Sequence, residues 1–169
     1  MGAPSTGKTT ILLAAAEHYN TTYVLEYGRE YWEKNNIERL LTPEQLLYIA
    51  QEQIRQEDEA LKHANKYLFV DTNALTTWHF AQDYHGSALP ALDALADNAK
   101  ARFDVVFLCG DEIPYEDTPE RSGDVKRHEF QAFITNQLET RGIAYTYLKG
   151  SVNERLNTIK RILDTRSSI

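Results

Sequence analysis

This sequence has a single cysteine, Cys109, so no internal disulfide can form, and that residue suits a small apolar position at a strand end. It has no apolar run of the about 18 residues that a membrane-spanning helix needs, and no leader-like start. No membrane partner is expected, and the cytoplasm is the default compartment. Positive charge is scarce: 18 Lys and Arg against 25 Asp and Glu leave a formal net charge of −7. Binding a nucleic-acid backbone requires a basic face, which this balance does not supply, so no nucleic-acid partner is expected. A small anion held by a local cluster is compatible with it. The five histidines, His18, His63, His79, His85 and His128, have no Cys or His at a zinc-ligand spacing. Repeats, low-complexity tracts and Pro/Gly/Ser-rich linkers are also missing, so the 169 residues read as one domain, 1–169, large enough for a sizeable core.

Against these absences stands one complete motif. Residues 2–9 read Gly-Ala-Pro-Ser-Thr-Gly-Lys-Thr, the P-loop pattern G-x-x-x-x-G-K-[ST]. Gly2 and Gly7 permit turns that a Cβ would block, so that successive N–H groups converge on phosphate oxygens. Lys8 brings a mobile positive charge to the β and γ phosphates, Thr9 offers its hydroxyl to Mg²⁺, and the helix that follows points its N-terminus at the same anion. Gly2, Pro4, Ser5, Thr6, Gly7, Lys8, Thr9 and Thr10 are therefore the expected binding residues for ATP. An Asn-Lys-x-Asp guanine-reading signature is missing, which favours an ATP-dependent kinase or ATPase over a GTPase switch.

The rest of the chain alternates in period. Residues 22–27 (TYVLEY), 66–72 (KYLFVDT), 103–110 (FDVVFLCG) and 143–148 (IAYTYL) read as buried parallel strands. Helices are expected over 10–19, 42–64, 75–84, 89–101, 124–140 and 152–164; Thr42-Pro43-Glu44-Gln45 opens the second with a cap, a first-position proline and a polar third residue. This is an α/β pattern, a P-loop NTPase three-layer fold with a mainly parallel sheet. The P-loop should follow a buried strand, yet only Met1 precedes Gly2; the reading is of a fold lacking that first strand, in a frame that begins short of it.

In such sheets ligands bind beyond the carboxyl ends of the strands. The segment Glu26-Tyr27-Gly28-Arg29-Glu30-Tyr31-Trp32 packs carboxylates, an arginine and aromatics together. It reads either as the start of an amphipathic helix or as an acceptor pocket, with Glu26 as base or hydroxyl ligand, Tyr27 among the rings that stack on a planar base, and Arg29 as an anion clamp. Phe69-Val70-Asp71 ends a Walker B-like strand, where Asp71 holds Mg²⁺ or orients the attacking hydroxyl, or caps the next helix. Thr72, Asn73, Thr76 and Thr77 follow on the same edge and suit a ribose. Residues 111–127, with two prolines and with Arg121 and Arg127, read either as a lid that brings positive charge to a transferring phosphoryl group or as a solvated loop entering a helix.

Taken together these residues resemble the NadR-type ribosylnicotinamide kinase domains and the wider NadR-like P-loop ATPases, nearly end to end. The resemblance rests on residues 2–9, on Glu26-Tyr-Gly-Arg-Glu-Tyr at 26–31, on Phe69-Val-Asp-Thr-Asn at 69–73 with Thr76 and Thr77, and on Tyr84-His85-Gly86. Ile113-Pro114-Tyr115 followed by Arg121 and Arg127 also fits, while Thr118-Pro119 stands where many members carry Asp-Gly. The resemblance implies phosphorylation of the ribose 5′-hydroxyl of nicotinamide riboside by ATP, giving nicotinamide mononucleotide for NAD synthesis. Lys8, Asp71, Glu26, Arg121 and Arg127 would then be catalytic, and Glu26, Tyr27, Arg29, Thr72, Asn73 and Thr76 would bind the nucleoside. Either Glu26 or Asp71 stands where the hydroxyl proton is taken; Asp71 is nearer the metal that Thr9 and Asp71 would share. The alternatives are a kinase for another nucleoside or nucleotide, and an ATP-binding regulatory ATPase.

Overall fold

The computed structural model describes residues 1–35, 40–112 and 123–166. They divide into two compact units, one of residues 1–20 with 105–169, the other of residues 21–104.

The first unit contains helix α1 (Lys8–His18), the strand β3 (Val106–Cys109), α7 (Gly123–Thr140), β4 (Tyr145–Leu148) and α8 (Val152–Arg166). β3 and β4 pair in parallel from Val106↔Tyr145 to Cys109↔Leu148. Met1 extends this ladder: its N–H donates to the Phe107 carbonyl at 2.8 Å, and the Cys109 N–H donates to the Met1 carbonyl at 2.9 Å. That reciprocal pair is the bonding pattern of a parallel bridge opposite Leu108, so Met1 occupies a strand position immediately before the P-loop. α1 buries Ile11, Leu12, Ala15 and Ala16 at helical spacing, and α8 buries Arg155, Ile159 and Leu163 on one face that packs against it. The small alanines allow that close packing.

The second unit contains β1 (Tyr23–Val24), α2 (Tyr27–Asn35), α3 (Pro43–Leu61), β2 (Phe69–Val70), α4 (Ala74–His85), α5 (Pro90–Asp97) and α6 (Ala99–Arg102). Its strands are also parallel, Tyr23↔Phe69 and Val24↔Val70. α3 starts as its sequence directs: the Gln45 N–H donates to the Thr42 hydroxyl and the Gln45 side chain accepts from the Thr42 N–H, a full capping box with Pro43 in the first turn. Leu46, Ile49 and Ala50 of α3 pack with Leu41, Ala74, Ala81 and Leu92, and each large side chain removed from water there stabilises the unit by about 1.5–3 kcal/mol.

The alternating α/β order and the parallel pairing agree with expectation, with corrections at the boundaries. The strand expected over 22–27 pairs only at Tyr23 and Val24, because the chain turns into α2 at Tyr27; the one expected over 66–72 pairs only at Phe69 and Val70. Residues 89–101 form two helices joined at Asn98 rather than one.

Candidate functional site

The P-loop lies wholly in the first unit and is shaped by its backbone. Gly7 adopts a left-handed conformation (φ 74°, ψ 21°) where the loop turns into α1, and as the N-cap residue it has no side chain with which to cap that end. The first turn of α1 carries no acidic side chain that would repel an anion at that helix end. Gly2 is required by proximity, since a Cβ there would lie 2.8 Å from the Cys109 carbonyl oxygen. Ser5, at φ 57°, is held in a conformation that side chains rarely adopt, the kind of backbone strain that collects at binding loops.

Long-range bonds hold this loop. The Ala3 N–H donates to Gln131 Oε1 at 2.8 Å, and Gln131 Nε2 donates to the Cys109 carbonyl at 2.9 Å, so one buried amide of α7 ties the loop to the end of β3. The Thr6 hydroxyl and Lys8 Nζ both donate to the Ala3 carbonyl, each at 2.8 Å. Lys8 is therefore folded back over its own loop, its charge resting on a neutral oxygen. The hydroxyl-bearing Thr9 is half-buried on the first turn of α1, Pro4 is half-buried and Thr10 is exposed. Arg127 is buried and donates to the Asp111 carbonyl, and His128 Nδ1 lies 2.6 Å from Asp111 Oδ2. Arg121 and residues 113–122 of the expected lid lie outside the described residues.

The remaining expected residues gather in the second unit. The parallel register Val24↔Val70 sends the chain off β1 and β2 at the same edge, so Glu26 and the stretch from Asp71 leave the ladder together. The Asp71 N–H still donates to the Val24 carbonyl at 2.9 Å. Residues 71–77 are all buried, and five of the seven are polar: Asp71, Thr72, Asn73, Thr76 and Thr77. So long a buried polar run at a strand end is not what a core selects. The helix cap that the sequence admits for Asp71 is provided instead by Asn73, whose Oδ1 accepts from the Leu75 N–H at 3.0 Å, leaving the Asp71 carboxylate out of that role. Thr72 Oγ1 is buried without a hydrogen-bond partner among the described residues.

Glu26 is half-buried, with a carboxylate oxygen 3.8 Å from where a Cβ on Gly28 would stand. Its charge also reaches Tyr84, whose phenol is pushed up first by burial and then by the charges of Asp83 and Glu26. The segment after Glu26 is a helix start, as one reading allowed, and α2 buries none of its own residues fully. Arg29 is exposed on it. Tyr27 joins Tyr31 and Tyr48 in a three-ring cluster with centroids 5.8–6.3 Å apart. The Tyr27 phenol is pushed up to about 12, by burial first, then by its bond to Tyr48 and the negative charges of Glu52 and Glu30. Sequence reasoning missed Gln53, a buried α3 residue whose Oε1 accepts from the Tyr27 N–H at 2.8 Å, and Glu57 one turn on, which pairs with Arg102 at 2.9 Å. Their signal was available: both fall on the apolar face of α3, where a polar side chain needs a partner.

Among the described residues no group of three or more His, Cys, Asp or Glu could hold a metal by itself, and no helix is long and apolar enough to cross a membrane. A glycine-shaped loop opening onto an uncapped helix, beside parallel strands, defines a P-loop protein of the α/β class. Residues 1–155 match the family model described as AAA domain, and the chain belongs to that family. It is 35% identical over 149 residues to the trifunctional NAD biosynthesis/regulator protein NadR of Escherichia coli, and 33% identical over 153 residues to that of Salmonella typhimurium. Those alignments cover 86% and 88% of this chain but 36% and 37% of the relatives, so the chain spans little more than a third of their length. Two solved structures of NadR protein, one in complex with NAD and AMP-PNP and the other with NR, each superpose with a TM-score of 0.73 at 23% identity, covering 95% of this chain and 47% of theirs. The expected P-loop α/β fold and the resemblance to NadR-type domains both hold.

Proposed function

We propose that this chain is an ATP-dependent kinase that phosphorylates the ribose 5′-hydroxyl of nicotinamide riboside to nicotinamide mononucleotide, acting in the cytoplasm in NAD synthesis or salvage. In this reading residues 1–169 are one P-loop kinase domain, with residues 111–127 as its lid. The observation that carries it is the P-loop itself, whose left-handed turn at Gly7 leads directly into α1 with no cap side chain at Gly7 and no acidic side chain in the first turn. The kinship with NadR supports the choice of chemistry, since that protein is known with an ATP analogue and with NR bound.

The roles follow from the side chains. Lys8 exchanges the Ala3 carbonyl for phosphate oxygens, a gain because a charge-assisted contact replaces a neutral one. The hydroxyl of Thr9 and the carboxylate of Asp71 are hard oxygen donors of the kind Mg²⁺ takes, and they would hold it. The bound ion would neutralise charge on the β and γ phosphates. The nucleoside oxygen forms a bond to the γ phosphorus as the bond from that phosphorus to the bridging oxygen breaks; its proton passes to Asp71 or Glu26, and ADP departs. Tyr27, Arg29, Thr72, Asn73 and Thr76 line the acceptor side, where the buried Thr72 hydroxyl offers a bond to a ribose. Arg121 and Arg127 supply positive charge to the transferring group.

The test is ADP release with Mg-ATP and a panel of nucleosides headed by nicotinamide riboside, with product mass read alongside. Formation of nicotinamide mononucleotide is expected. Transfer to a different nucleoside would reassign the acceptor, and ATP binding without transfer to any nucleoside would replace the kinase by a regulatory ATPase.

A further inference from the structure

Arg155 is the largest fully buried side chain described, with only 1% of its surface exposed. It sits on the face of α8 that also buries Ile159 and Leu163, a position where leucine or methionine would pack without the cost of desolvating a charge. Its guanidinium is instead spread over four oxygens from separate parts of the first unit. Nη1 donates to the Thr6 carbonyl of the P-loop at 2.6 Å, Nε to the Gly150 carbonyl at 3.0 Å, and Nη2 to the Gly110 carbonyl at 3.3 Å and to Glu112 Oε1 at 2.9 Å. Three of the four are main-chain carbonyls, from the P-loop, the end of β3 and the turn before α8. A planar fork that is always charged is the side chain able to do this.

The Thr6 contact has a directional consequence. In a planar trans peptide the C=O and N–H point opposite ways, so a Thr6 carbonyl held toward Arg155 directs the Gly7 N–H away from α8. That N–H belongs to the loop turn leading into the uncapped start of α1. We propose that Arg155 is a positioning residue for phosphate binding, fixing the Thr6–Gly7 peptide so that the P-loop amides are set for a polyphosphate before it arrives. The proposal rests on the P-loop reading and adds a residue about 150 positions away in sequence. Pre-setting the peptide removes an ordering cost that binding would otherwise meet.

The experiment measures binding of inorganic tripolyphosphate and of Mg-ADP by titration calorimetry to the full chain and to Arg155→Lys and Arg155→Met, alongside thermal unfolding. Lysine keeps the charge but cannot span three carbonyls. Both variants are expected to lose about tenfold or more in affinity for both ligands, by the same factor, since the defect lies at the phosphates. The KM for ATP should rise with it while that for the acceptor holds. A variant that unfolds cooperatively at a lower temperature yet binds tripolyphosphate as the parent does would reduce Arg155 to a structural ion pair and overturn the proposal. Should neither variant fold, the Arg155 Nε–H resonance of the parent chain decides: it is expected to shift on titration with tripolyphosphate, and no shift at saturation would overturn the proposal. Tripolyphosphate binding through Arg155 without transfer to any nucleoside would sink the kinase and leave this inference standing; undiminished affinity in Arg155→Lys with transfer intact would do the reverse.

Discussion

The two units build their candidate sites from different material. In the first, the groups proposed for phosphate are mainly main-chain N–H groups, and the side chains that shape the loop come from far along the chain: Gln131 reaches Ala3 across 128 positions and Arg155 reaches Thr6 across 149. In the second, the candidates are side chains themselves, set by nearby structure such as the Asn73 cap and the bond from Tyr27 to Gln53, 26 positions on. A backbone site tolerates change in most of its own residues but depends on its remote tethers. A side-chain site is the opposite, and substitutions should separate the two.

The largest effect is expected from Lys8→Ala. Lys8 spends the unliganded state on one carbonyl, so its loss should leave thermal stability nearly unchanged while phosphoryl transfer falls by about 10²–10³-fold or more. Asp71→Asn should lose nearly as much transfer. Steady-state rates with Mg-ATP and nicotinamide riboside check both; a variant within tenfold of the parent would remove that residue from the chemistry.

Next comes the buried pair of the second unit. Burial pushes the Glu57 carboxyl up, and Arg102 opposes that rise. Arg102→Met should destabilise at neutral pH by about 2–3 kcal/mol, less than for a fully buried pair because Arg102 keeps a quarter of its side chain in solvent. A raised carboxyl binds its proton more tightly folded than unfolded, so its contribution to stability is present below the unfolded value of 4.5 and declines as pH rises through the folded value. The gap between parent and variant should therefore narrow as pH falls toward 4.5, where Glu57 takes up its proton and no longer needs Arg102. Thermal unfolding across that range tests it, and a gap independent of pH would show that the loss is packing alone.

A smaller and more selective change is expected of Arg29→Ala. Arg29 is exposed, and no stability loss should follow. The acceptor KM should rise or kcat fall while ATP affinity holds; an equal loss of ATP binding would take Arg29 off the acceptor side and blur the division between the units.

What could be read from sequence follows the same division. The P-loop was legible because its demands are local: glycines where φ must be positive, Lys8 and Thr9 at fixed offsets, a helix directly after. The capping box at Thr42 and Gln45 was legible for the same reason. Strand ends and burial were both overread, because a run such as TYVLEY marks strand propensity, whereas a ladder extends only as far as a partner strand does, here two residues, and of that run Val24 alone is buried. Gln131 and Arg155 were not found, since a tether is visible in sequence only as a polar residue on an apolar helix face, and its partner cannot be named without the fold. Arg155, in register with Ile159 and Leu163, shows that pattern clearly once it is sought.

The smallest effect concerns the aromatic cluster. Tyr27 is raised to about 12 by burial first and by Tyr48 next, so Tyr48→Phe, which keeps the ring and removes the hydroxyl, should lower the Tyr27 midpoint without returning it to 10.0. Between 10.0 and about 12 the folded chain keeps a proton that the unfolded chain gives up, so stability falls as pH rises through that window, and it should fall less steeply in the variant. Ring carbon shifts of Tyr27 followed through alkaline pH measure the midpoint directly. An unchanged midpoint would mean that the Tyr48 hydroxyl has no part in the rise, leaving it to burial and to the charges of Glu52 and Glu30, and would weaken the contrast with the backbone-built loop of the first unit.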